Sequence, residues 1–149
     1  MIKRNLIAFG LHLVIVSIGL LVTSINIVAQ NILFAFSVII YFVLGRCFLD
    51  TGNLFKNLMS FSSIWLVGII IWVFDFKIYN FHEYRNVELL KGVIYSFYYS
   101  SVSPILELCY VPINEKFSGL HPLRAFWVSF IPTTVMWLGL QWKSMCKKS

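Results

Sequence analysis

The chain has 149 residues, of which 59% are hydrophobic and only 12% are charged. A soluble domain carries about 25% charged residues, so this composition excludes an ordinary water-soluble fold. The net charge of +6 does not indicate nucleic-acid binding, because the Lys and Arg residues lie in ones and twos at the ends of apolar runs. Basic residues at those places contact lipid headgroups and orient membrane spans. The sequence therefore predicts an integral membrane protein with no nucleic-acid partner.

Four apolar runs approach or reach the roughly 20 residues that a helix needs to cross a bilayer. They predict spans at residues 6–28, 31–49, 57–75 and 125–142. The first run is uncharged over 23 residues, and this length favours an uncleaved anchor over a signal peptide. The first two runs are nearly contiguous, so we expect them to form an antiparallel hairpin.

A fifth run, residues 92–106, is uncharged over only 15 residues, contains Pro104 and is rich in Ser and Tyr. Its length is typical of an interfacial or re-entrant element, and its tyrosines suit the headgroup layer: Tyr95, Tyr98, Tyr99 and Tyr110. The Lys and Arg count favours four spans with cytoplasmic termini over five. The predicted fold is thus an all-α polytopic protein, a single four-helix transmembrane bundle in the inner membrane. This element lies between the third and fourth spans, within an extracytoplasmic cap of about residues 76–124.

Small and polar residues share one stripe of the first helix, at spacings of seven, four and three residues: His12, Gly19, Thr23 and Asn26. Such a stripe permits close helix approach and interhelical hydrogen bonds. An ionisable residue within a span is also a candidate for a proton path. For His12 we favour a neutral imidazole that is hydrogen-bonded to a neighbouring helix.

The sequence predicts no catalytic, cofactor-binding or metal-binding residue. Residues 50–52 read Asp-Thr-Gly, as in aspartic proteases, but such an enzyme needs a second carboxylate within a largely β scaffold. A helix stop followed by a helix cap explains these residues better. The His and Glu residues of the predicted cap do not have the spacing of a zinc motif. Cys47, Cys109 and Cys146 fall on both sides of the membrane in the four-span arrangement, so no disulfide is expected.

Two groups of charged residues are candidates for contacts outside the bundle. The first group is the predicted cytoplasmic face, which would contact a protein partner or anionic lipid. It consists of Arg46, Lys56, Lys143, Lys147 and Lys148. Glu107 lies among apolar neighbours, so we expect it to be protonated, to face water or to pair with Arg124 or Lys77. Glu107 and Arg124 are the predicted anchor of the outer cap.

The expected function is that of a small non-enzymatic membrane subunit, a homo-oligomeric sensor, anchor or immunity-type protein that acts with a cytoplasmic partner. Residues with AT-rich codons outnumber Gly, Ala, Arg and Pro by about three to one, which suggests an accessory bacterial system such as antiphage defence. The alternative is a small oligomeric channel or carrier, lined by the His12 stripe or by residues 129–134 around Pro132. A lipid-acting intramembrane enzyme ranks third, because the polar residues are scattered in depth.

Overall fold

A computed structural model describes residues 2–23, 26–48, 53–77, 93–114 and 117–146. These ranges are mainly helical, with one short antiparallel hairpin. The helices are α1 (Ile2–Thr23), α2 (Ile27–Cys47), α3 (Leu54–Met59), α4 (Ser62–Lys77), α5 (Val93–Tyr98), α6 (Ser103–Glu107), α7 (Pro122–Val128) and α8 (Ile131–Cys146). A 3-10 turn (Ser100–Val102) joins α5 to α6, and the hairpin consists of β1 (Tyr110–Asn114) and β2 (Phe117–Leu120).

Three helices in the described ranges are long and apolar enough to span a membrane, namely α1, α2 and the combined α7 and α8. The fourth apolar helix, Ser62–Phe76, is shorter. The predicted third span, residues 57–75, is not one helix, because a turn at Ser60 and Phe61 separates α3 from α4. The membrane-helix character is therefore confirmed, and a bundle of four full spans is not established.

Side chains stabilise the turn between α3 and α4 by replacing helical backbone hydrogen bonds. The Asn5 amide of α1 donates from Nδ2 to the Met59 carbonyl at 2.8 Å and accepts from the Ser63 backbone N–H at 3.1 Å. Ser60 Oγ donates to the Lys56 carbonyl at 2.9 Å. Ser and Asn side chains offer the backbone an alternative to helical pairing, so this polar cluster ends one helix and starts the next.

Helices α2 and α8 are packed backbone against backbone at two glycines. A Cβ atom on Gly45 would overlap the Met136 carbonyl, and one on Gly139 would overlap the Phe42 carbonyl. Small residues permit this close approach between membrane helices. Beyond these glycines, Lys143 near the end of α8 contacts Phe48 at the end of α2, so the two helices run in the same direction.

The two ends of the described chain lie at the same end of the bundle. The Arg4 guanidinium of α1 lies over the Phe48 ring, with Cζ 5.8 Å from its centroid. Lys143 Nζ of α8 donates to the Phe48 carbonyl at 3.1 Å. Trp137 Nε1 donates to the Leu54 carbonyl at 3.4 Å, which places α3 nearby. We call this the basic end, formed by the start of α1, the end of α2, α3 and the end of α8.

The last apolar run is interrupted at Ser129 and Phe130, between α7 and α8. Pro132 follows as the second residue of α8, and proline lacks the N–H that would continue the hydrogen-bond ladder. The Tyr99 hydroxyl donates to the Ser129 carbonyl at 3.3 Å. The break between α7 and α8 is thus stabilised by a tyrosine from another element, which bonds to the Ser129 carbonyl.

Residues 93–107, the central segment, pack one side into the interior of the bundle, while Ile94 and Phe97 on the other side are each 56% exposed. Within this segment Tyr99 and Ser101 are completely buried. A Cβ on Gly19 of α1 would lie 2.7 Å from Ser100 Oγ and 2.8 Å from the Ser101 backbone nitrogen, so α1 touches the segment directly. Irregular backbone is tolerated at membrane depth when protein surrounds it, and this packing meets that condition.

The expected headgroup position is wrong for three of the four tyrosines. Tyr95, Tyr98 and Tyr99 are buried, whereas Tyr110 is 42% exposed. Tyr110 begins the hairpin, where it pairs with Leu120. The expected helical class is confirmed, and this two-stranded hairpin is a small addition to it among the described residues. Much of the predicted cap, residues 78–92, lies outside the described residues.

Candidate functional site

The polar centre of the bundle is built around His12. Its side chain is 0% exposed, and its Nδ1 is 2.8 Å from the Tyr41 hydroxyl of α2. The same hydroxyl is 3.0 Å from Ser101 Oγ in the central segment. These bonds join α1, α2 and the central segment, and the first is the interhelical hydrogen bond favoured for His12. Among the described residues His12 Nε2 has no hydrogen-bond partner, while the Tyr98 ring meets the imidazole edge-on at 4.8 Å.

The buried tyrosines fasten the central segment to the surrounding helices. Tyr95 donates its hydroxyl to the Ala125 carbonyl at 2.5 Å and lies 2.9 Å from Ser129 Oγ. Tyr98 donates to the Ile64 carbonyl at 2.9 Å. A buried tyrosine hydroxyl requires such a partner. These groups therefore hold the segment against α4 and α7.

The polar centre is closed to solvent, and this limits the chemistry that its side chains can perform. His12 and Tyr99 are sealed from solvent, so a substrate has no access to them in this conformation. Asp75 of α4 is buried and accepts from the Tyr95 backbone N–H through Oδ2 at 2.7 Å. It thus caps the start of α5. No group of three or more His, Cys, Asp or Glu side chains in the described ranges could hold a metal ion.

The predicted stripe on α1 is divided between two environments. His12 and Gly19 face the central segment, as described above. Asn26 is exposed, and its side chain caps α2 by accepting from the Ala29 N–H at 2.8 Å. The side chain of Thr23 lies outside the described residues. Only the first half of the stripe therefore belongs to the polar centre.

The predicted cytoplasmic face is gathered at the basic end. Arg46 lies in the last turn of α2 and Lys56 lies in α3, and both are exposed. Lys143 is held on the Phe48 carbonyl. Residues 147–148 lie outside the described ranges. The face thus combines three distant parts of the chain at one place.

Glu107 and Arg124 of the predicted outer anchor are both exposed. Glu107 lines a cleft of about 200 Å³ with Gln30 and Ser103, between the end of α1, the start of α2 and the central segment. Within the described part of the chain, Glu107 and Arg124 form no salt bridge. The structure therefore places Glu107 facing the surface, one of its three expected environments, at the end of the bundle opposite the basic end.

Sequence reasoning missed Tyr41, the hydrogen-bond partner of His12, and Ser101, which bonds to the same Tyr41 hydroxyl. One signal was present, because Tyr41 is the one tyrosine in the apolar run of α2, and a hydroxyl at that depth requires a partner. Ser101 carried no comparable signal within its Ser-rich surroundings. No family model matches this chain, and no curated protein or solved structure is similar to it.

Proposed function

We propose that the protein is a non-enzymatic membrane subunit that binds an acidic cytoplasmic partner through its basic end. The carrying observation is the cluster of exposed basic side chains at the basic end. Arg46 and Lys56 are exposed at the basic end, while the two carboxylates among the described residues, Asp75 and Glu107, belong to the opposite end. Charge complementarity steers partners and fixes their orientation, and basic residues collect on the cytoplasmic side of spans.

The engagement of the buried polar groups supports a non-enzymatic role. The Tyr41 hydroxyl bonds to two neighbours, and the Tyr95 and Tyr98 hydroxyls bond to backbone carbonyls. These bonds serve helix association, which in lipid depends on close packing and interhelical hydrogen bonds. A catalytic site would require convergent polar groups with access for a substrate.

A sensing role would connect the two ends through the central segment. Glu107 and Ser103 line the outer cleft, and Ser101 of the same segment bonds to α2. A ligand that binds the cleft better in one position of the segment would shift the helices toward that position. Together with the AT-rich composition, this arrangement fits a homo-oligomeric sensor or immunity-type subunit of an accessory bacterial system.

Purification from the native host in lipid nanodiscs, followed by mass measurement and identification of co-purified chains, tests this proposal. The variant Arg46→Gln/Lys56→Gln removes two exposed charges from the basic end. Since an exposed ion pair contributes about 0.2–1 kcal/mol, we expect partner capture to fall roughly twofold to thirtyfold. The matched control Lys91→Gln/Lys116→Gln removes the same charge from the predicted outer segment and should leave capture unchanged.

Equal capture by both double variants would contradict the assigned partner surface. A pure homo-oligomer without any partner would contradict the subunit proposal itself. If such an oligomer also conducted ions in liposomes, and His12→Leu abolished the flux with folding intact, the channel alternative would replace it.

A further inference from the structure

A groove between α1 and the end of α2 opens at the basic end. It encloses about 280 Å³ and is lined by Arg4, Ile7, Leu11, Cys47 and Phe48. Arg4, Ile7 and Leu11 follow one another at three and four residues, so they lie on one face of α1. The groove therefore runs from a cationic rim at the helix start along an apolar wall toward the middle of the bundle.

Two hydrogen-bond donors of the Arg4 guanidinium lack an acceptor within the described part of the chain. Its Nε and Nη2 atoms are buried and have no partner among the described residues, although the group lies 5.8 Å from the Phe48 ring centroid. These two nitrogens form one side of the guanidinium plane, the side that binds two oxygens of a carboxylate or phosphate at once. A buried charge whose donors lack acceptors is unfavourable. An anion at this position would supply the missing acceptors.

We propose that this groove binds an anionic phospholipid, with its phosphate on Nε and Nη2 of Arg4 and an acyl chain along Ile7 and Leu11. The cation suits the phosphate, and the apolar wall suits the hydrocarbon. Ile7 is 47% exposed, so an acyl chain reaches the wall directly from the bilayer. The site is separate from the Arg46 and Lys56 surface, and this proposal does not depend on the proposed function.

Native mass spectrometry of protein exchanged into phosphatidylglycerol or phosphatidylcholine tests the site. Wild type should retain one phosphatidylglycerol more strongly than phosphatidylcholine. Arg4→Gln should weaken that retention roughly tenfold or more, since a hydrogen bond to a charged group contributes at least about one factor of ten. The matched control is Lys3→Gln, which removes the same charge from an exposed neighbour outside the groove and should retain the lipid.

A substitution in the apolar wall and a labelling experiment test the groove independently of Arg4. Ile7→Trp fills the apolar wall while leaving Arg4 in place, and it should also release the lipid. Phosphatidylglycerol should slow maleimide labelling of Cys47, which lines the groove, and leave labelling of Cys146, which is also exposed, unchanged as an internal reference.

Three results would overturn the proposal. The first is retention of phosphatidylglycerol by Arg4→Gln equal to that of Lys3→Gln. The second is protection of Cys47 by inorganic phosphate as complete as protection by the lipid, which would identify a site for a free anion. The third is equal destabilisation of Arg4→Gln in both lipids, which would indicate that the guanidinium pairs with a carboxylate of the protein.

Discussion

Replacing Gly45 or Gly139 with alanine tests the contact between α2 and α8 directly. The atoms that a new Cβ would meet belong to the backbones of Met136 and Phe42, so no rotamer change relieves the overlap. Carbon atoms pack at about 3.5–4.0 Å, and restoring that spacing requires the helices to separate by on the order of 1 Å. Overpacking costs roughly 1–3 kcal/mol, and the backbone contact places these sites at the upper end.

The net effect also includes the helix propensity of alanine, which favours it over glycine by about 1 kcal/mol. We therefore expect each variant to lose about 2 kcal/mol of unfolding free energy. The double variant should lose less than the sum, because one separation of the helices relieves both contacts.

Unfolding by SDS in mixed micelles, followed by far-UV circular dichroism, provides the measurement. Gly10→Ala is the control, because a Cβ there meets nothing within 4 Å, and it should be neutral or up to about 1 kcal/mol more stable. If Gly45→Ala and Gly139→Ala were as stable as Gly10→Ala, the backbone contact between α2 and α8 would be refuted.

Two further outcomes follow from the buried groups. Tyr41→Phe removes the hydroxyl bonded to His12 and should lower the unfolding free energy by about 1–2 kcal/mol; an unchanged SDS midpoint would contradict the bond. Burial raises the pKa of the Cys109 thiol, so less reactive thiolate exists at pH 8. In phosphatidylcholine, Cys109 should therefore label with maleimide more slowly than the exposed Cys47 and Cys146; equal rates of single-cysteine variants would contradict its burial.

Hydropathy alone predicts the positions of the helices that are richest in Leu, Ile and Val. Residues 6–28 and 31–49 correspond to α1 and α2, which cover Ile2–Thr23 and Ile27–Cys47. The connection lies several residues earlier than expected, because Asn26 caps α2. Asparagine is a common helix cap, but inside an uncharged run it is also compatible with an unbroken helix.

The division of the third span could not be foreseen from its apolar composition. The turn depends on Asn5, whose amide bonds to Met59 and Ser63 from a distance of more than 50 residues in the chain. Hydropathy measures whether a segment favours lipid, whereas this turn is decided by a tertiary hydrogen bond.

The central segment is a second case in which the composition predicts a need for hydrogen bonds but not the partners that provide them. Its Ser and Tyr content indicates hydroxyls that need hydrogen bonds, and this part of the reasoning holds. Water, headgroups and backbone carbonyls are all acceptable partners for a Tyr95 hydroxyl. At the end of α7 the Ser129 N–H bonds to the Phe126 carbonyl, and the Ala125 carbonyl accepts from Tyr95 instead. The sequence alone favours the headgroup layer, whereas the structure places this hydroxyl in the protein interior.

The partners of the central segment also impose an order on its assembly. Tyr95 bonds to Ala125 and Ser129, which the ribosome adds about 30 residues later. Membrane insertion of α1 and α2 can precede this event, but the segment cannot complete its bonds until α7 has emerged. A nascent chain that ends before α7 would present irregular backbone to lipid without internal partners. Such truncated chains should be recognised and degraded by membrane quality-control proteases, so the last helix serves as the checkpoint for the whole bundle.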